Sequence, residues 1–120
     1  NVDNNLITSL VKSSENKFKS QLLLPLDDTT TSSKISLAYD ALRELLEAYA
    51  IHKGYKIYNH ECYCAFLGEL LDETKLSERF NRLRKTRNAV NYYGKEVNLE
   101  ETEYIINEIN SLITIIKIRF

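Results

Sequence analysis

The chain has 120 residues and a mass of 14.0 kDa, room for one domain and no second. Hydrophobic residues at 43% and charged residues at 28% exclude wholesale disorder, while three Gly and one Pro leave little material for an all-β fold or a Gly-rich phosphate loop. A net charge of −1 excludes a general nucleic-acid coat or a membrane-surface protein.

Five segments carry helical spacing. The first runs from about Asn4 to Leu24, with Ile7, Leu10, Val11, Phe18 and Leu22 on one face and Ser14 interrupting it. Pro25 ends it, and Asp27 to Thr31 reads as a loop. The second runs from about Ser33 to Lys53. Its stripe is Leu37, Ala38, Ala41, Leu42, Leu45, Ala48 and Tyr49, and Gly54 is its stop. A short third helix follows Asn59, with Tyr63, Phe66, Leu67, Leu70 and Leu71 turned inward. The fourth starts near Thr74 or Ser77 and stops at Gly94, with Phe80, Leu83, Thr86, Val90 and Tyr93 on one face. The fifth begins at Asn98, where Asn98 and Glu101 resemble a capping box. Ile105, Ile109, Leu112, Ile113, Ile116 and Phe120 form its stripe. Its β-branched end also suits a strand, but the unbroken period favours helix.

Short connections between long amphipathic helices favour antiparallel neighbours. The expectation is an all-α, up-and-down bundle of four long helices plus one short, a single domain over residues 1–120. Ile106, Ile115 and Ile118 lie off the last helix's core line. Tyr49, Ile51 and Ile57 extend the apolar surface of the second, so a homodimer or a hetero-complex is expected.

Charge is uneven along the chain. Lys75 to Lys95 holds seven bases and one acid, Glu78; Glu96 to Asn110 holds five acids and no base. Complementary neighbouring helices explain this better than a nucleic-acid groove. The longest apolar stretch, Leu112 to Phe120, is broken by Thr114, Lys117 and Arg119, so no membrane span is expected. Cys62 and Cys64 are too close and too few for a disulfide scaffold, which suits a reducing, cytoplasmic setting. The chain holds no Met, even at position 1, and reads as a processed or excised piece.

The fourth helix bears a second, polar stripe. Arg84, Arg87, Asn88, Asn91 and Tyr92 are spaced by threes and fours along one side. A guanidinium offers five donors in a planar fork and wants a carboxylate or a phosphate. One reading is a buried network pairing Arg87 with Asp40, Glu44 or Glu47 of the second helix. The other is an anion or RNA-phosphate site.

Here the chain resembles a family. Arg87-Asn88-Ala89-Val90-Asn91-Tyr92-Tyr93-Gly94 looks like the signature of the HEPN domain, a helical domain that often accompanies nucleotidyltransferases. Tyr39 to Ala48, then Lys53-Gly54-Tyr55-Lys56, then Asn59-His60-Glu61, resemble the second helix and following turn of small archaeal and bacterial members. The resemblance spans residues 33–116. It implies a bundle whose Arg and Asn border a cleft. In nuclease members a His follows the Arg by five residues; here that position is Tyr92. Imidazole titrates near pH 6.5 and can take a 2′-OH proton, whereas a phenol titrates near pH 10. The resemblance therefore implies a non-catalytic binding or accessory module with Arg84, Arg87, Asn88, Asn91 and Tyr92 at its ligand site. Its partners would be RNA, a nucleotide or a nucleotidyltransferase-domain protein. The enzyme alternative is a metal-independent, toxin-like ribonuclease using Arg87 with Tyr92 or His60.

Other constellations read as ordinary structure. His60, Cys62 and Cys64 supply too few ligands for a structural zinc, with only His52 left besides, so neither metal nor cofactor is expected. Tyr49, Tyr55, Tyr58, Tyr63, Tyr92 and Tyr93 read as helix-interface residues, ring buried and hydroxyl wet, rather than as a base-stacking platform.

Overall fold

The computed structural model describes residues 3–55 and 74–120. Those residues form four helices: α1 (Asn4–Leu23), α2 (Thr31–His52), α3 (Thr74–Tyr92) and α4 (Leu99–Arg119). No strand occurs among them. The short helix expected after Asn59 lies outside the described residues, as do His60, Cys62, Cys64, Ile57, Tyr58 and Tyr63.

Local chemistry sets each boundary. The Asp3 carboxylate accepts the Leu6 N–H at 2.9 Å and caps α1. Leu24, restricted by the following Pro25, is extended (φ −79°, ψ 131°) and ends that helix. In the connection, Asp27 Oδ1 accepts the N–H groups of Thr29 and Thr30 at 2.8 and 3.1 Å. Gly54 sits at φ 87° after α2, where Gly54 N–H returns to Ile51 O at 2.9 Å and Tyr55 N–H to Ala50 O at 2.8 Å. Gly94 at φ 66° ends α3, a conformation that side chains with a Cβ rarely adopt. Asn98 Oδ1 accepts the Glu101 N–H at 2.7 Å to start α4.

The cross-helix contacts give the helix directions. Ser14 Oγ donates to Ala41 O at 2.6 Å and Lys34 Nζ reaches back to Leu24 O at 2.9 Å, so α1 and α2 form an antiparallel hairpin. Arg87 of α3 meets Asp40 of α2 and Asn91 meets Ser36, so α3 runs against α2, and Arg79 ties α3 to Glu108 of α4. The Phe120 ring closes on Tyr49 (5.3 Å) and His52 (5.4 Å), which brings the C-terminal ends of α2 and α4 together. The architecture is the expected up-and-down helical bundle.

α2 lies at its centre: thirteen of its 22 residues are buried. Among them are Ile35, Tyr39, Leu46 and Ala50, off the single stripe read from the sequence. Burial on several sides reflects α2's contacts with α1, α3 and α4 together, which no one-faced pattern encodes. The stripe on α4 is Ile105, Ile109, Leu112, Ile113 and Ile116, as expected, joined by Ile106 and Thr102. Ile106 is therefore core rather than free interface, and Tyr49 is core as well. Ile115 packs against the core from its edge, while Ile118 stays exposed.

Three expected core positions lie elsewhere. Leu22 is 64% exposed, because α1 is rotated so that Ile7, Ser14 and Gln21, one heptad apart, face inward. Small residues of α2 allow this close approach: Ala38 and Ala41 are fully buried, and the Ser14 hydroxyl finds the Ala41 carbonyl. Tyr93 is 84% exposed; it follows the last residue of α3 and stands where the chain leaves the helix. Phe120, with its ring partly covered by Tyr49 and His52, sits at the bundle's end rather than inside it. No helix among the described residues is long and apolar enough to cross a membrane.

Candidate functional site

The α2–α3 seam brings the polar stripe of α3 against α2. Positions four apart on α2, Ser36 and Asp40, meet positions four apart on α3, Asn91 and Arg87. Ser36 Oγ donates to Asn91 Oδ1 at 2.8 Å. Arg87 Nη2 stands 3.8 Å from Asp40 Oδ1. The other candidate carboxylates are engaged elsewhere, Glu44 by Lys17 of α1 and Glu47 by Arg43 one turn away. Antiparallel register selects Asp40, since Glu44 and Glu47 lie further along α2, away from Arg87.

Arg87 is the centre of the cluster. Its guanidinium carbon lies 5.4 Å from the Tyr39 ring centroid and 5.5 Å from that of Tyr92. Tyr39 is fully buried and itself stacks on Phe80 at 5.8 Å, so the inner ring is fixed by the core. Tyr92 is 68% exposed and forms the outer ring. Arg87 Nη1 donates to Tyr92 Oη at 3.1 Å and more weakly to Asn88 Oδ1 at 3.5 Å. Positions five apart on a helix point roughly 140° apart, and the long arginine stem spans that gap. The Arg87 side chain is 15% exposed, and its Nε is buried with no hydrogen-bond partner. Planar stacking between two tyrosines suits a guanidinium, whose delocalised charge is weakly hydrated. Its contact with Asp40 is longer than a hydrogen bond, so its fork is not consumed by a bidentate pair.

The stripe does not converge as a unit. Arg87, Asn88 and Tyr92 form one network. Asn91 is held by α2, and Arg84 turns back to Asn81 of its own helix, with Nη2 2.8 Å and Nε 3.2 Å from Asn81 Oδ1. Tyr39, which the sequence offers only within a motif, forms the inner wall. No motif in the sequence marks Ser36, which holds Asn91. Their spacing along α2 was the available signal, without anything to say which face of α2 would meet α3.

A polar cleft of about 640 Å³ opens further along, where Thr31 and Ser32 face the Gly94–Asn98 turn. Asp28, Glu96 and Glu101 outnumber Lys95 in its lining, so an anion is favoured at Arg87 rather than there. Among the described residues, no group of three or more His, Cys, Asp or Glu side chains gathers as a metal site.

The charge asymmetry of α3 and α4 is met in part by one firm cross-helix pair. Arg79 donates from Nε to Glu108 Oε2 at 2.9 Å and from Nη2 to Glu108 Oε1 at 2.6 Å, and it also reaches Ser111 Oγ at 3.1 Å. The Arg79 hydrogen bonds, outweighing the cost of burial and aided by Arg79 and Arg82 charge, hold the Glu108 carboxyl below its ordinary value of 4.5. A carboxylate lowered in the folded state adds stability above its unfolded pKa and loses it as pH falls through the folded one. Glu108→Gln is expected to cost about 1 kcal/mol at pH 7, as a half-screened bidentate pair does. The gap should close on acidification from pH 5 towards 2, measured as paired thermal melts. A gap independent of pH would mean that the pair adds nothing through ionisation.

No protein-family model matches the chain, and no curated protein matches it.

Proposed function

We propose that this chain is a non-catalytic, HEPN-like helical binding module whose Arg87, Asn88 and Tyr92 receive a phosphate of RNA or of a nucleotide. The observation that supports this is the state of Arg87. It is pre-oriented between two rings, leaned on by one distant carboxylate, and covered on its outer side by an exposed tyrosine. A swing of Tyr92 about its own side-chain bonds would uncover the guanidinium without moving a helix. A phosphate oxygen would then take the Nη1 proton now given to Tyr92 Oη, with the Asn88 amide as a second donor.

The ribonuclease reading keeps one observation in its favour. The 3.1 Å bond between Arg87 and Tyr92 places the motif's two ends in contact, where a base and a phosphate grip would need to stand. Incubating the full chain with structured and single-stranded RNA, with and without chelator, separates the two. Retention of RNA without cleavage, reduced by Arg87→Ala, is expected. Chelator-resistant cleavage by the wild type, lost in Arg87→Ala, would replace the binding module with the nuclease.

Tyr104 and Ile118 stand exposed on α4 and, with the partly buried Ile115, offer a surface for a second copy or for a nucleotidyltransferase-domain partner. A two-fold homodimer is the expected assembly. Light scattering that finds a 14.0 kDa particle at tens of micromolar would remove it.

A further inference from the structure

The cleft of about 640 Å³ between the start of α2 and the Gly94–Asn98 turn is lined by polar groups that the fold leaves unmet. Thr31 is 8% exposed, yet its hydroxyl has no protein partner among the described residues. The oxygen is not sealed in: it keeps a path to solvent, on a residue that lines the cleft. No side chain caps α2, because the Thr30 hydroxyl turns back to the carbonyls of Pro25 and Asp27. Lys34 N–H is the first to return along the helix, to Thr30 O at 2.9 Å, which leaves the Thr31 and Ser32 N–H groups free. Four exposed charged side chains share the lining: Asp28, Lys95, Glu96 and Glu101. None of them is in an ion pair among the described residues.

This lining disfavours most ligand classes. Three carboxylates repel a phosphate, a sulfate or another carboxylate. They do not converge on one ion, since no three acids gather as a metal site among the described residues. Lys95 and the positive starts of α2 and α4 oppose a polycation. Among the described residues no aromatic ring lines the cleft, so a nucleobase finds nothing to stack on. What remains is a neutral ligand that both gives and takes hydrogen bonds. A sugar hydroxyl does both at once, donating to a carboxylate and accepting from an N–H or an ammonium. Val90 and Val97, both buried, offer an apolar floor for the C–H face of a sugar ring. The volume lies within the range of small-molecule sites.

We infer that this cleft binds a neutral sugar of one or two rings. The sugar hydroxyls donate to the carboxylates of Asp28, Glu96 and Glu101. They accept from Lys95 and from the free N–H groups at the start of α2. The Thr31 hydroxyl gains the partner it lacks, and the ring lies against Val90 and Val97. The cleft lies roughly two turns of α2 away from Asp40, so its test does not depend on the phosphate reading at Arg87.

The experiment is titration of the isotope-labelled full chain with maltose, followed by amide NMR. Shifts at Thr31, Ser32, Lys95 and Val97 are expected to saturate with a Kd on the order of 1 mM, as a few charge-assisted bonds in an open cleft allow, while Arg87 and Asn88 stay unmoved. Thr31→Val should weaken maltose about threefold to tenfold without lowering the melting temperature, because the hydroxyl it removes bonds nothing in the free protein. Thr31→Ser should bind maltose as the wild type does. Glu101→Ala should weaken maltose about tenfold. Glu101 is exposed and Glu100 keeps an acid in the first turn of α4, so this variant should fold. Three results would each overturn the assignment. One is no shift with maltose at tens of millimolar. Another is phosphate or putrescine moving the same amides at lower concentration than maltose. The last is unaltered maltose affinity in both Thr31→Val and Glu101→Ala.

Discussion

Arg87→Ala is expected to lower the stability of the fold by about 2–4 kcal/mol, a large effect for one polar residue. Three contributions add. The Asp40 carboxylate, 30% exposed, loses its cation. The stacking on Tyr39 and Tyr92 goes, at about 0.5–2 kcal/mol for each ring. The stem leaves a gap above a fully buried tyrosine, and lost packing of an arginine stem is itself destabilising. At roughly 4 °C per kcal/mol for a domain of this size, the melting temperature should fall by about 8–16 °C. Arg87→Lys keeps the charge without the planar fork and should fall between the two. An Arg87→Ala protein that melts with the wild type but no longer retains RNA would show that Arg87 serves the ligand alone. A protein that loses both supports a residue working on each side, anchored by Asp40 and Tyr39 and presented through Tyr92.

Tyr92→His should convert the proposed binding module into a weak ribonuclease. On the proposed HEPN-like reading it gives the chain the Arg-to-His spacing of the nucleases it resembles, and an imidazole titrates where a 2′-OH proton can be taken. Tyr92 is mostly exposed and Tyr and His have similar helix propensities, so the fold should bear the change with little loss. A positioned base contributes about 10²–10⁴-fold, which sets the expected gain over the wild-type background. The cleavage should resist chelator and disappear in the Tyr92→His, Arg87→Ala double variant. Binding of RNA with no cleavage by Tyr92→His would mean that the phosphate does not reach Arg87 in a productive geometry. Wild-type cleavage matching that of Tyr92→His would remove the idea that position 92 limits the chemistry.

The helices were legible because their signals are local. Pro25, Gly54, Gly94 and Asn98 end or start helices through their own backbone constraints and hydrogen bonds, and each acts where it stands in the chain. The apolar period of α4 carried through its β-branched end for the same reason. Leu22 misled because the apolar stripe of α1 is wide enough to permit more than one rotation. The choice was made by α2, whose Ala38 and Ala41 admit a close approach by Ser14. Tyr93 misled because the helical period was extended past the end of the helix.

The polar stripe of α3 was determined by sequence, as was Arg87's demand for a carboxylate or phosphate. Which groups answer was a matter of tertiary structure. Antiparallel packing of α3 on α2 chose Asp40 over Glu44 and Glu47, brought Ser36 to Asn91, and slid Tyr39 beneath the guanidinium. It also separated Arg84 from the group, because spacing along one helix specifies a face but not the neighbour that face will meet. The burial of Gln21 and Lys34 was wholly a tertiary outcome: a glutamine and a lysine on separate helices carry no local sign that a third helix will close over them.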